Sequence, residues 1–146
     1  MTISIAITGA TGRMGRLISN LVAQSDEFTL HSQLDSSSEL DEMLGADVVI
    51  DVTNYEVSRR VVDFAVQHGS NVVIGTSGWN SGRIAELEST LPEDRGVIVV
   101  PNFSIGSVLG TKLATMAAKL FESVEIIESH HDGKIDSPSG TAVRTA

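Results

Sequence analysis

Apolar residues fall along this chain in two alternating patterns. Some form short continuous runs. Others recur at helical spacing over longer stretches. The first pattern reads as buried strands and the second as amphipathic helices. Ile3–Thr8 is a β-branched run bounded by Gly9, which predicts a strand. Arg13–Ala23 places Met14, Leu17, Ile18, Leu21 and Val22 at helical spacing. Phe28–Leu34 predicts a second strand. Residues 37–44 predict a short helix, with Ser37 or Ser38 as cap and carboxylates in its first turns. Further strands are expected at 47–52, 71–75, 97–100 and 124–129. Helices are expected at 57–68, stopped by Gly69, at Ser81–Thr90, ended by Pro92, and at 107–120.

The central strands are apolar throughout rather than alternating, the pattern of parallel strands covered on both faces. Strand alternating with helix then implies an α/β fold, a doubly wound, Rossmann-type parallel sheet with helices on both faces. Ligands in such sheets bind beyond the carboxyl ends of the strands, so the loops after each strand are where chemistry is expected.

The first of these loops is Gly9-Ala10-Thr11-Gly12-Arg13-Met14-Gly15, between the first strand and the first helix. A G-x-x-G-x-x-G spacing in that context suits a dinucleotide. It allows a tight turn, close approach to a pyrophosphate and close helix packing. The helix N-terminus offers free N–H groups, and Arg13 adds a charge. Asp35 ends the second strand, where an acid can accept hydrogen bonds from a ribose 2′-hydroxyl. It repels a 2′-phosphate, which favours NADH, while Arg13 leaves NADPH open. Asp51 and Asn54, after the third strand, read as turn and cap residues. Gly75-Thr76-Ser77-Gly78-Trp79 and Val100-Pro101-Asn102-Phe103-Ser104 follow the fourth and fifth strands. Their small, hydroxylated and amide residues suit a nicotinamide and its carboxamide, but taken alone the first loop reads better as an ordinary polar turn and the second is open between the two.

Composition narrows the classes. The 146 residues carry 10 Lys+Arg against 19 Asp+Glu, a net charge of −9, and only 4% are aromatic. Such a surface repels phosphate backbones and has little to stack bases on, which disfavours nucleic-acid binding. Cysteine is absent, which removes disulfides, thiolate metal sites and cysteine nucleophiles, including the mechanism of semialdehyde dehydrogenases. The only tyrosine, Tyr55, lies too early for the Tyr-x-x-x-Lys of short-chain dehydrogenases. No apolar run approaches a membrane span and no secretory leader is evident, so a cytoplasmic protein is expected.

The densest polar cluster runs from Glu128 through His130, His131, Asp132, Lys134 and Asp136 to Ser139-Gly140-Thr141. Histidine exchanges protons near neutral pH, and lysine offers a charge or a proton. Ser139 after Pro138 reads as a helix start, another anion site. A solvated loop, a metal site at His130, His131 and Asp132, and a Ser/His/Asp triad, which lacks a G-x-S-x-G nucleophile elbow, are the rivals. Adjacent strand residues point to opposite faces, which is poor chelation geometry, and no metal is expected. A nucleotide-binding module without catalysis, such as a redox sensor, also stays open.

Taken together, the 9–15 loop, Gly75-Thr76-Ser77-Gly78, Pro101-Asn102-Phe103-Ser104 and His130-His131-x-x-Lys134-x-Asp136-x-Pro138-Ser139-Gly140-Thr141-Ala142 resemble the bacterial dihydrodipicolinate reductase family in order and spacing. The resemblance implies NAD(P)H-dependent reduction of 4-hydroxy-tetrahydrodipicolinate to tetrahydrodipicolinate, in the diaminopimelate route to lysine. It implies cofactor contacts at Gly9, Ala10, Thr11, Gly12, Arg13, Met14, Asp35, Gly75, Thr76, Ser77, Val100, Pro101, Asn102 and Phe103. His130 resembles the acid/base and Lys134 the proton donor. His131, Gly140 and Thr141 resemble the ligands of a substrate carboxylate. Thr11 stands where some members carry Lys, which again leans toward NADH. Asp132-Gly133 stand where many carry a more basic pair, which lowers the local positive potential. Family chains continue into a mixed-sheet domain that builds a homotetramer. A dinucleotide-binding domain is therefore expected over 1–128 and the start of a substrate-binding α+β domain over 129–146, with the chain a fragment of a reductase.

Overall fold

The computed structural model describes residues 2–133 and 137–146. Within them the chain forms two compact units, Met1–Val100 and Pro101–Ala146.

The first unit is a parallel sheet of five strands, β1 (Ile3–Thr8), β2 (Phe28–Leu34), β3 (Val48–Asp51), β4 (Asn71–Ile74) and β5 (Val97–Val99), in the order β2-β1-β3-β4-β5. Helix α1 (Arg13–Ala23) joins β1 to β2, α2 (Tyr55–Gln67) joins β3 to β4, and α3 (Ser81–Thr90) joins β4 to β5. The doubly wound α/β architecture is as the apolar strands predict. Register places Thr8 beside Asp51 and Asp51 beside Ile74, so the carboxyl ends of β1, β3 and β4 lie side by side. Between β1 and β2 the register slips after Ile5, leaving His31 without a partner.

Side chains alternate across the sheet. Ala6, Val49, Val72 and Ile74 join Val61, Val62, Ala65 and Val66 of α2 in the larger core. Ile5 and Ile7 point the other way and pack with Val22 and Ile18 of α1. Helix α2 starts at Tyr55 because the Asn54 side chain accepts from the Val57 N–H at 3.2 Å. Gly69 stops it at φ +92°, a conformation that only glycine adopts without strain.

The expected helix at 37–44 is instead one 3-10 turn, Leu40–Met43, capped by Glu39 with Glu42 closing a capping box. Neither serine caps it. The Ser37 N–H and hydroxyl are both taken by Asp35 Oδ1, at 2.8 and 2.7 Å, and the Ser38 hydroxyl accepts from the Asp35 N–H.

The second unit holds α4 (Ile105–Ala118) and α5 (Gly140–Thr145). Helix α4 begins ahead of the expected residue 107 because the Ser104 hydroxyl accepts from the Ser107 N–H at 3.3 Å. The expected sixth strand at 124–129 is not formed among the described residues. Its β-branched pattern is strand-like, but a strand exists only where a neighbour accepts its N–H groups, and no ladder runs along it. No helix among the described residues is long and apolar enough to cross a membrane.

Candidate functional site

Strand order reverses between β1 and β3, the switch point where sheets of this order take their ligands. A cleft of about 620 Å³ opens there. It is lined by Gly9, Thr11 and Gly12 after β1, by Asp35 and Ser38 after β2, and by Thr53, Asn54 and Arg60 after β3 and on α2.

The glycines are needed where they stand. Gly9 has φ +79°, and a Cβ on it would sit 2.6 Å from the Val52 carbonyl oxygen. A Cβ on Gly15 would overlap the Gly9 carbonyl oxygen and lie 2.6 Å from Ala10 Cα, so α1 packs directly on the loop. The Gly9 and Ala10 N–H groups both donate to the Leu34 carbonyl at 3.0 Å, which ties the loop to the end of β2. Gly12 precedes α1 and supplies no side-chain cap, and the first turn holds no acid. The first-turn N–H groups and the positive helix end are thus left for an anion. This cradle, which a Cβ would fill, fits the pyrophosphate of a dinucleotide.

Asp35 stands across the cleft. The Ser37 hydroxyl and then the Ser37 N–H, both donating to Oδ1, hold its carboxyl below the usual range. It is therefore a fixed anion near neutral pH, suited to a ribose diol. Ala10 is buried behind the loop and Met14 is half-buried. Arg13 is exposed and lies outside the lining of the cleft. Thr53, Asn54 and Arg60 were not singled out as site residues from the sequence. The only available signal was that Thr53 and Asn54 directly follow a strand.

A second feature was missed outright. Asp51, read from the sequence as a turn residue, is fully buried at 0% exposure. Its Oδ1 accepts from the Thr8 hydroxyl at 2.8 Å and the Thr53 hydroxyl at 2.7 Å, and its Oδ2 from the Thr76 hydroxyl at 2.5 Å. Thr76 in turn accepts from the Thr53 N–H at 2.8 Å, and the Asp51 carbonyl accepts from the Gly75 N–H at 2.8 Å. Thr76 is thus turned inward, while Ser77 beside it is exposed. Trp79 is half-buried, donates to the Ser58 hydroxyl at 2.9 Å and meets Tyr55 edge-on. The Val100 N–H donates to the Ile74 carbonyl, where the sheet edge ends.

Within the second unit, Asn102 organises its own loop. Its Oδ1 accepts from the Ser104 N–H at 2.8 Å, and its Nδ2 donates to Ser107 at 2.8 Å and to Thr141 at 3.3 Å. An expected cofactor residue and an expected substrate residue therefore meet. Pro101, Phe103 and Gly140 are exposed. Ser139 caps α5, its hydroxyl accepting from the Ala142 N–H.

The histidine cluster is organised by Glu128, whose Oε2 pairs with His130 Nε2 at 2.9 Å. The same carboxylate accepts from the Ser139 N–H at 2.8 Å and from the Ser139 hydroxyl. The Ser139 hydroxyl above all, then His130, hold the Glu128 carboxyl down to about 2. His131 is exposed. Lys134 lies outside the described residues. Among those residues no three His, Asp or Glu side chains gather as a metal site.

Two family models match, "Dihydrodipicolinate reductase, N-terminus" over residues 3–103 and "Dihydrodipicolinate reductase, C-terminus" over 106–146. The chain is 57% identical to 4-hydroxy-tetrahydrodipicolinate reductase of Clavibacter sepedonicus over 148 residues, covering 100% of this chain and 53% of that protein. It is 41% identical to the enzyme of the same name from Nocardia farcinica, covering 100% of this chain and 60% of the relative. The chain thus spans roughly half the length of the curated relatives it matches. Among solved structures, a dipicolinate-bound dihydrodipicolinate reductase from Paenisporosarcina sp. TG-14 superposes with a TM-score of 0.80 at 32% identity. That superposition covers 99% of this chain and 64% of the other. A saccharopine dehydrogenase from Saccharomyces cerevisiae shares the fold alone, with a TM-score of 0.60 at 19% identity. With the family models covering both units, the chain belongs to the dihydrodipicolinate reductase family.

Proposed function

We propose that this chain is the cofactor-binding part of an NAD(P)H-dependent reductase. The full protein would convert 4-hydroxy-tetrahydrodipicolinate to tetrahydrodipicolinate in lysine and diaminopimelate biosynthesis. The observation that carries the reading is the cleft at the strand switch point, floored by Gly9 and Gly12 and faced by Asp35. Residues 1–128 serve as the dinucleotide-binding domain, and 129–146 open the substrate-binding domain. The 9–15 loop and the start of α1 receive the pyrophosphate. Asp35 receives the adenosine ribose and favours NADH over NADPH, because a fixed carboxylate repels a 2′-phosphate. Gly75, Ser77, Val100, Pro101, Asn102 and Phe103 serve the nicotinamide end, with Thr76 contributing through its backbone.

A reduced nicotinamide held there would supply the hydride for C4 of the cyclic dicarboxylate once its 4-hydroxyl has left as water. His130, oriented by Glu128, acts as acid/base, and Lys134 delivers the proton that balances the hydride. His131, Gly140 and Thr141 hold a substrate carboxylate. By the family's habit the working protein is a cytoplasmic homotetramer acting on a small molecule, with no nucleic-acid or membrane partner.

Turnover of 4-hydroxy-tetrahydrodipicolinate by the full protein, followed as NADH consumption, tests the reading. His130→Gln should lower kcat by about a hundredfold or more while leaving NADH affinity unchanged. NADH binding without turnover by the unmutated full protein would instead favour a non-catalytic nucleotide module.

A further inference from the structure

The Asp51 clasp has no place in the chemistry above, yet it holds a fully buried carboxylate. Its carboxylate has no exposed surface, and no cation pairs with it among the described residues. A buried carboxylate is costly unless it is hydrogen-bonded. Here three threonine hydroxyls satisfy it, from the ends of β1, β3 and β4. The two oxygens divide the work. Oδ1 holds Thr8 and Thr53, beside the Gly9 loop and the cleft. Oδ2 holds Thr76 alone, in the loop after β4.

We infer that Asp51 is a positioning residue for the nicotinamide end of the cofactor, acting through the Thr76 hydroxyl on the 75–77 loop. The inference rests on the proposed cofactor role of that loop. The hydroxyl of Thr76 has one proton, and the proton is committed to Asp51 while the oxygen accepts from the Thr53 N–H. Thr76 therefore has no proton to offer a ligand. It pins the loop from below, and the Gly75 N–H is held by the Asp51 carbonyl at the same point. The loop's direction is fixed by one residue of a neighbouring strand, leaving exposed Ser77 and the backbone around it to face the ring. A nicotinamide must sit within a fraction of an ångström for hydride transfer, and such placement calls for a locked supporting shell.

Asp51→Asn separates the two halves of the clasp. The amide oxygen keeps Thr8 and Thr53, but the amide nitrogen must donate to Thr76, whose proton then loses its acceptor. The test compares NADH with ADP-ribose, which shares the adenosine and pyrophosphate but lacks the nicotinamide, by calorimetric titration of the full protein. Asp51→Asn should weaken NADH about tenfold and leave ADP-ribose within about twofold. Thr76→Val, which removes the same hydrogen bond from the other side, should do likewise. The double variant should lose no more than either single one, as for residues acting as one unit. Equal weakening of both ligands, or of neither, in both single variants would overturn the inference. Unmutated protein that binds ADP-ribose as tightly as NADH would refute the loop's cofactor role itself, and with it the inference built on that role.

Discussion

Residues 1–100 and 101–146 are both rich in aliphatic side chains and use them in opposite ways. In the first unit Val49, Val62, Val72 and Ile74 are sealed between the sheet and α2. In the second, α4 buries none of its residues, and Ile105 and Ile127 stand at 85% and 86% exposure. The contrast shows what apolar patterning does by itself. A parallel strand flanked by strands and covered by helices finds its partners within its own hundred residues. A helix that is apolar around much of its surface finds none among its neighbours in the second unit. The hydrophobic contribution to stability therefore sits in the first unit, at about 25 cal/mol per Å² of apolar surface buried.

The sharpest way to break this comparison is a pair of truncations measured by urea denaturation. Ile74→Ala should cost about 2–5 kcal/mol, because it opens a cavity in the larger core. Ile127→Ala should stay within about 0.5 kcal/mol. Comparable losses at both positions would mean that the second unit is as well packed as the first. Next in size, Gly9→Ala forces an L side chain into φ +79° and against the Val52 carbonyl. It should cost about 2 kcal/mol and weaken NADH binding as the loop shifts. Retention of full affinity with full stability would show that the loop tolerates a Cβ.

How much of this was legible beforehand depended on how local the cause was. Helix α1, strand β1 and the Gly9 turn were legible because their signals lie within the segments themselves. The cleft was legible as a place, since loops after parallel strands converge on one edge. The capping of 40–43 was not legible, because Ser37 looks like a cap until Asp35 captures both its donors. Asp51 was misread because its partners Thr8 and Thr76 lie 43 and 25 residues away and only strand register brings them together. The strand-like run at 124–129 misled for the mirror reason. Its pattern is correct, but the pairing that makes a strand is not a property of the segment.

Smaller effects sharpen the comparison. Asn54→Ala removes the cap of α2 and should cost about 1 kcal/mol in the first unit, read as a lowered urea midpoint. In the second unit, the Glu128 carboxyl is held down to about 2 from a usual 4.5 by Ser139 and His130. A depressed carboxyl stabilises the folded form above its unfolded pKa. That contribution is present above about pH 4.5 and is lost as the pH falls toward 2. A carboxyl NMR titration should show the low midpoint, and Ser139→Ala should move it back toward 4.5. An unmoved midpoint would show that Ser139 is not its main support.

The most direct test of the central claim, that the cleft between β1 and β3 takes a nicotinamide dinucleotide, is a titration with NADH followed by the fluorescence of Trp79, the only tryptophan. Saturable quenching is predicted, tighter for NADH than for NADPH because of Asp35, and abolished by Gly15→Leu, which drives a side chain into the Gly9 and Ala10 backbone. A folded protein whose Trp79 emission shows no saturable response to either nucleotide would contradict the account.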